Sequence, residues 1–159
     1  MKKILIALDY DPTAQKVAET SYAIAKAMKA EVILLHVISD PVYYSSIEYS
    51  PIMGFTGYMN MDMGQFQLDS IDGLIRASKQ YLDKTRHHLD DKSIQILVKE
   101  GEIAETILET ANKTGADIIA MGSHSRRWLE EILMGSVTEK ILHHSSVPLF
   151  IVPTKKNNQ

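Results

Sequence analysis

Residues 3–38 read KILIALDYDPTAQKVAETSYAIAKAMKAEVILLHVI and decide the fold of this chain. Two nearly unbroken apolar runs, residues 3–8 and 31–38, are typical of strands that are covered on both faces. Between them, Asp11 and Pro12 predict the N-cap and first turn of a helix, because the apolar residues that follow recur at helical spacing. Two strands joined by one helix predict a parallel pair with a right-handed crossover.

The same alternation continues to the end of the chain. The remaining predicted elements are a helix at about 68–89, a strand at 94–98, a helix between Gly101 and Gly115, a strand at 117–121, a helix at about 127–143 and a strand at 147–152. Proline at the second position of the last strand and just after it predicts an edge of the sheet. Five strands alternating with four helices predict a doubly wound α/β fold, a five-stranded parallel sheet sandwiched by helices in a Rossmann-like arrangement.

Composition predicts one globular domain over residues 1–153 and a polar tail over residues 154–159. The chain has 159 residues, of which 45% are hydrophobic and 23% charged, and this balance excludes a disordered or fibrous protein. A net charge of -3 gives no general attraction to nucleic acid or to anionic membranes. The absence of cysteine excludes disulfides and thiolate zinc sites. With no secretory signal pattern at the start, we expect a cytoplasmic protein.

One segment, at about residues 40–67, has no clear period. It contains six aromatic residues, four methionines and three glycines. A connection this long within one domain is usually functional or disordered. Two interpretations remain open: a mobile insertion whose aromatic side chains are partly buried, or a lid or partner-binding flap that uses methionine and aromatic side chains as an adaptable surface.

Candidate binding residues lie where the predicted strands end, because ligands of open parallel sheets bind beyond the carboxyl ends of the strands. Those ends carry Asp9, His36 with Val37, Gly101, and the run from Gly122 to Ser125. Of these, His36 is interpreted as a hydrogen-bonded core residue. The last run is the one that combines small residues with backbone donors that can approach an anion.

That run leads into the helix that carries Gly135, and the hydroxyl groups of both segments fit a phosphate-binding nest. These hydroxyls belong to Ser123, Ser125, Ser136 and Thr138. The phosphate loop GxxxxGK[ST], the dinucleotide motif GxGxxG and the nucleophile motif GxSxG are all missing. Neighbouring histidines, such as His143 and His144, point about 100° apart on a helix and do not share a metal. The sequence therefore predicts a binding protein without an evident catalytic constellation.

At this point the chain resembles the universal stress proteins. Their nucleotide-binding members carry Gly-x-x-Gly, nine residues, and then Gly-Ser or Gly-Thr, and here Gly122 to Ser125 is followed by nine residues and Gly135-Ser136. The resemblance extends over nearly the whole chain. It includes residues 3–9, 34–37, 116–122, 134–141 and 147–152.

The resemblance implies an ATP-binding α/β fold that forms homodimers through its last strand, residues 147–152. It implies that Asp9 lies near the nucleoside, that Val37 meets the adenine, and that a divalent ion, usually magnesium, accompanies the triphosphate. The loop that follows the ribose and phosphates corresponds to Met121, Gly122, Ser123, His124 and Ser125. The residues that clasp the phosphates from the last helix correspond to Gly135, Ser136 and Val137.

The chain departs from the family pattern at Ser125, which stands where binding members have the second glycine. If that position needs a positive φ, serine costs about 1 kcal/mol there, although its hydroxyl group is able to donate to a phosphate. Arg126 beside it is suited to a charge-assisted contact with the γ-phosphate. We therefore expect an ATP-binding regulatory protein that acts through nucleotide-dependent association.

Two alternatives stay open. One is a dimeric scaffold of the same fold that does not bind nucleotide, and the other is a slow ATPase or nucleotidyl-transfer enzyme that uses magnesium bound to Asp9.

Overall fold

A computed structural model describes residues 1–39, 71–123 and 135–154. The segment predicted at about 40–67 lies outside the described residues. So do the first residues of the predicted helix at 68–89, the part of the predicted helix at 127–143 before residue 135, and residues 155–159 of the predicted tail. No helix in the described ranges is both long and apolar enough to cross a membrane.

The described elements alternate as the sequence predicts. In chain order they are β1 (Lys3–Ala7), α1 (Ala14–Ala27), β2 (Glu31–Ile38), α2 (Ile71–His88), β3 (Gln95–Glu100), α3 (Ile103–Thr114), β4 (Ile118–Gly122), α4 (Ser136–His144) and β5 (Leu149–Val152).

The five strands form one sheet with the order β3-β2-β1-β4-β5, and every pair is parallel. Ile4 in β1 lies beside Val32 on one side and Ile118 on the other. The chain winds outward from β1 to β3, returns to β4 on the other side of β1, and ends at β5. The predicted doubly wound α/β fold is confirmed, and so is the edge position of the last strand.

Two apolar layers explain why the strand sequences are unbroken apolar runs. Successive strand residues point to opposite faces of the sheet, so Ile4 and Ile6 pack under α1 and α2, while Leu5 packs under α3 and α4. β2 alternates in the same way, with Leu34 on the first face and Leu35 on the second. Each such fully buried side chain contributes about 1.5–3 kcal/mol, so both layers stabilise the fold.

At three element ends the difference from the sequence prediction has a local structural cause. The first helix begins at Ala14 with Thr13 at its N-cap, which makes no side-chain capping bond. The carboxylate of Asp11 instead accepts from the Thr13 N–H at 2.9 Å and from its hydroxyl at 2.7 Å, so Asp11 shapes the turn before the helix. The last strand begins at Leu149 rather than at residue 147, because Pro148 brings only its carbonyl to the ladder, where it accepts from the Ile119 N–H.

The third difference concerns the last helix, which was predicted as one element over about 127–143. Gly135 has an extended backbone (φ -68°, ψ 157°) and is the N-cap of α4. Helical structure in the described part of that range therefore starts at Ser136, and the prediction of a continuous helix is wrong at residue 135. By contrast, the predicted stop at Gly115 is confirmed, since this glycine adopts the left-handed conformation (φ 68°) that ends α3.

Candidate functional site

Three neighbouring strands deliver the predicted site residues to one edge of the sheet. β1 lies between β2 and β4, and the winding of the chain reverses between β1 and β4. Asp9 follows the end of β1, Val37 lies near the end of β2, and Gly122 ends β4. This is the switch point at which ligands bind in open α/β sheets.

Asp9 is held by the turn that connects β1 to α1. One oxygen of its carboxylate accepts from the Asp11 N–H at 3.0 Å, and Asp11 in turn accepts from Thr13. The Asp9 side chain is half-buried. The two linked turns fix its direction at the carboxyl edge of the sheet, beside the switch point.

Buried aromatic rings lie directly beneath this edge. His36 is buried, and its Nδ1 donates to the carbonyl oxygen of Leu8 at 2.7 Å, which confirms the interpretation of His36 as a hydrogen-bonded core residue. The ring of Tyr10 lies 4.2 Å from the His36 ring and 5.5 Å from that of Tyr81, and the Tyr10 hydroxyl is hydrogen-bonded to Ser78. Sequence reasoning missed this cluster, because neither Tyr10 nor Tyr81 belongs to a motif.

The end of β4 and the start of α4 are joined by hydrogen bonds through Ser123. Its backbone carbonyl accepts from the Gly135 N–H at 2.6 Å, and its own N–H donates to the carbonyl of Val152 at 2.9 Å. The hydroxyl of Thr138 donates to the carbonyl of Gly122 at 2.9 Å. These bonds bring together Gly122, Ser123 and the first turn of α4, as the sequence predicts for an anion nest.

The hydroxyl groups predicted to face a phosphate divide into two kinds. Those of Ser123 and Thr138 are buried and make hydrogen bonds within the chain, whereas Ser136 at the first position of α4 is exposed. Ser125 lies outside the described residues, as do His124 and Arg126. Met121 and Val37 are buried at the ends of their strands, where they contribute apolar surface.

The N-terminus of α4 supplies the donors of the candidate site. Gly135 has no side chain to cap the helix, and its carbonyl accepts from the Glu139 N–H at 3.0 Å as the first helical bond. The N–H groups of the first turn have no acceptors within the helix, and they lie at the positive end of its dipole. This arrangement is suited to an anion.

Exposed ion pairs link α4 to α3. Lys140 lies 3.5 Å from a carboxylate oxygen of Glu102 and 4.0 Å from one of Glu105. The Glu102 carboxylate accepts from the Glu105 N–H at 2.7 Å. This hydrogen bond is the main cause of the lowered pKa of Glu102, and Lys140 lowers that pKa further. The start of α4 is therefore fixed from below by β4, and the exposed ion pairs add a weak contact with α3.

Asp9 carries the carboxylate that the candidate site offers to a metal ion. Within residues 1–39, 71–123 and 135–154, no three His, Asp or Glu side chains come together to hold an ion. Mg²⁺ is commonly bound through one or two carboxylates together with substrate phosphates. Asp9 at the switch point fits that limited role, and the described side chains offer no separate all-protein metal site.

Fold and site together define a doubly wound α/β protein with a candidate anion site at the switch point of a parallel sheet. The universal stress protein family model matches residues 1–153. The chain therefore belongs to the universal stress protein family.

Two relatives and two solved structures support the family and the fold. Universal stress protein MJ0577 of Methanocaldococcus jannaschii is 33% identical over 159 residues, covering 98% of this chain and 97% of that protein. Universal stress protein MJ0531 of the same organism is 29% identical, covering 98% and 84%. A solved structure of MJ0577 has a TM-score of 0.71 at 30% identity and covers 98% of both chains. A universal stress protein solved in complex with cAMP has a TM-score of 0.62 at 16% identity, covering 96% and 97%, and shows the fold alone.

Proposed function

We propose that this protein binds an adenine nucleotide, ATP with magnesium, at the carboxyl edge of its sheet, and that it acts by nucleotide-dependent association. The observation that carries the proposal is the convergence of Asp9, Val37 and the Gly122-Ser123 turn with an α4 N-terminus whose N-cap is a glycine. That fold position and those backbone donors are suited to a nucleoside phosphate. Cytoplasmic location is part of the same proposal.

The contacts implied by the family resemblance are assigned to residues at this edge of the sheet. The half-buried carboxylate of Asp9 is an acceptor for nucleoside hydroxyl groups and a ligand for magnesium carried by the phosphates. Val37 lies near the end of β2, at the position where the family resemblance implies a contact with the adenine. The first-turn N–H groups at Ser136 and Val137 donate to phosphate oxygens. His124, Ser125 and Arg126 remain proposed contacts of the same loop.

The homologues give limited support for a nucleotide. A universal stress protein has been solved in complex with cAMP, which is an adenine nucleotide. Its 16% identity to this chain carries the fold and not the ligand, so the proposal rests on the geometry of the carboxyl edge. The absence of an evident nucleophile or base from the sequence motifs favours regulated binding over turnover.

Thermal unfolding of the metal-stripped protein tests the proposal, with Mg-ATP set against ADP, AMP and GTP. A ligand at a hundredfold over its Kd stabilises by about 2.7 kcal/mol, and a domain of this size gains about 2–4 °C in Tm per kcal/mol. We expect an ATP-selective rise. No rise at millimolar ATP would contradict nucleotide binding and favour the scaffold, while phosphate release abolished by Asp9→Asn would favour the slow ATPase.

A matched pair at Ser136 separates binding from stability. Ser136→Asp places a negative charge in the first turn of α4. The helix dipole stabilises this charge, but the charge repels a phosphate. Ser136→Asn has nearly the same shape without the charge. We expect Ser136→Asp to keep the ligand-free Tm and lose the ATP-induced rise, and Ser136→Asn to keep both. An equal ATP response in the two variants would place the phosphates elsewhere.

A further inference from the structure

At Ser123, the hydrogen-bond ladder that continues β4 and β5 uses a side-chain oxygen as acceptor in place of a backbone carbonyl. In a parallel ladder, a residue donates its N–H to the carbonyl of one residue on the partner strand. Its own C=O accepts from the N–H of the residue two positions further along that strand. Ser123 donates to the Val152 carbonyl at 2.9 Å, so regular pairing would bring the Thr154 N–H to the Ser123 carbonyl. The Thr154 N–H instead donates to the Ser123 hydroxyl oxygen at 3.0 Å.

The carbonyl that is released in this way holds the start of α4. It accepts from the Gly135 N–H at 2.6 Å, while the Ser123 hydroxyl lies 3.3 Å from the hydroxyl of Thr154. Ser123 is 8% exposed and Thr154 is 6% exposed, so bulk water has little access to either group. Each buried donor therefore depends on its own acceptor within the chain.

We infer that Ser123 is a positioning residue: its side chain replaces its own carbonyl in the sheet, and this replacement lets the carbonyl fix the N-terminus of α4. The consequence for nucleotide binding rests on the proposed function. Without the hydroxyl group, the Thr154 N–H loses its acceptor, and the ladder acceptor that remains for it is the carbonyl already bound to Gly135. A carbonyl oxygen is able to accept from two donors, but a second donor at the Ser123 carbonyl weakens its bond to the Gly135 N–H and loosens the first-turn donors of α4.

This role differs from a direct contact between the Ser123 hydroxyl and a phosphate. A direct contact exists only when the ligand is bound, whereas positioning acts on the ligand-free protein. It also requires an oxygen rather than a serine at residue 123, so threonine preserves it and alanine removes it. The same junction connects the candidate site to the end of β5, because Val152 and Thr154 both bond to Ser123.

Amide hydrogen exchange of the ligand-free chain, resolved by NMR, provides the test. We expect Ser123→Ala to lower the protection factors of both the Thr154 and the Gly135 amides by about tenfold, equivalent to about 1.4 kcal/mol, and Ser123→Thr to restore them. The double variant Ser123→Ala/Thr154→Pro removes the competing N–H, so protection at Gly135 is expected to recover.

Two outcomes would overturn the inference. Unchanged protection at both amides in Ser123→Ala would mean that the hydroxyl group holds neither segment. Loss at Thr154 alone would make the hydroxyl a local support of the tail without influence on α4. Circular dichroism of each variant confirms that it is folded, and Ser123→Thr keeps the test valid if the alanine variant does not fold.

Calorimetry with Mg-ATP and with adenosine links the junction to binding. We expect Ser123→Ala to weaken ATP about tenfold and adenosine little, and the double variant to regain ATP affinity. Weaker ATP binding with unchanged exchange at Gly135 would assign the hydroxyl to a direct phosphate contact and overturn positioning. If the unsubstituted protein binds neither ligand, the proposed function fails, while the exchange data still decide the role of Ser123.

Discussion

At the scale of single residues, two helix ends use the same backbone conformation with different residues. Gly115 ends α3 with φ 68°, and Lys29 follows α1 with φ 53°. At both ends the N–H of the next residue donates to a carbonyl within the helix. The Ala30 N–H donates to the Ala25 carbonyl and the Ala116 N–H to the Ala111 carbonyl, each at 2.9 Å. A side chain in this conformation costs about 1–2 kcal/mol, so the end of α1 is strained and that of α3 is not.

Lys29→Gly is expected to raise the free energy of unfolding by about 0.5 kcal/mol, because the relief of backbone strain exceeds the added freedom of the unfolded chain. Gly115→Ala is the matched opposite and is expected to lower it by about 1 kcal/mol. No atom lies within 4 Å of a Cβ added there, so the cost is backbone strain alone. Urea unfolding measures both. A loss of stability in Lys29→Gly would contradict the argument.

Sequence reasoning identified one of these two residues. Glycine after an apolar periodic segment predicts a helix end, and Gly115 fulfils that prediction. Lysine gives no such signal, because the conformation of Lys29 follows from the closing hydrogen bonds of α1 and not from its own preference. The role of Ser123 was missed for a similar reason, since it depends on Thr154, 31 positions away.

At the scale of elements, α3 begins with an acidic cap that connects it to α4. The Glu102 carboxylate accepts from the Glu105 N–H at 2.7 Å and lies 3.5 Å from Lys140. The Glu105 N–H is the main cause that holds the pKa of Glu102 below its ordinary value of 4.5. A carboxyl group whose pKa is lower in the folded protein stabilises it above the ordinary value and loses this effect as the pH falls through the folded value.

Glu102→Gln is therefore expected to flatten the stability loss on acidification below about pH 5, because the amide oxygen is able to cap α3 without titrating. Glu102→Ala removes the cap as well and is expected to cost about 0.5–2 kcal/mol at pH 7. Urea unfolding at pH 3, 4, 5 and 7 measures both effects. The idea fails if the glutamine variant and the unsubstituted protein lose stability in parallel over this range.

The elements themselves were predictable where burial decides them. Strands covered on both faces give continuous apolar runs, and β1 and β2 were recognised on that signal. The start of α4 was not, because apolar residues at helical spacing continue on both sides of Gly135. Its extended backbone is stabilised by the bond from its N–H to the Ser123 carbonyl, a tertiary contact that periodicity does not contain.

At the scale of the whole molecule, the two edges of the sheet differ in character. β3, at one edge, carries Gln95, Lys99 and Glu100 among its six residues, whereas β5, at the other, is LFIV without a polar side chain. Polar residues on an edge strand oppose pairing with another chain. Leu142 on α4, the helix that precedes β5 in the chain, is 50% exposed. These features favour β5 as the surface for the homodimer that the family resemblance implies.

Ile151→Lys is expected to shift the protein toward monomer, because pairing of β5 with a second copy would bring a charged side chain into a partly desolvated contact. Gln95→Lys on β3 adds the same charge to the other edge and is expected to leave the mass unchanged. Sedimentation at micromolar concentration compares the two variants with the unsubstituted protein. A dimer that survives Ile151→Lys would count against pairing through β5, and dissociation caused by Gln95→Lys would transfer the interface to β3. Repeating the measurement with Mg-ATP tests whether association depends on nucleotide, since the candidate site and the end of β5 share Ser123.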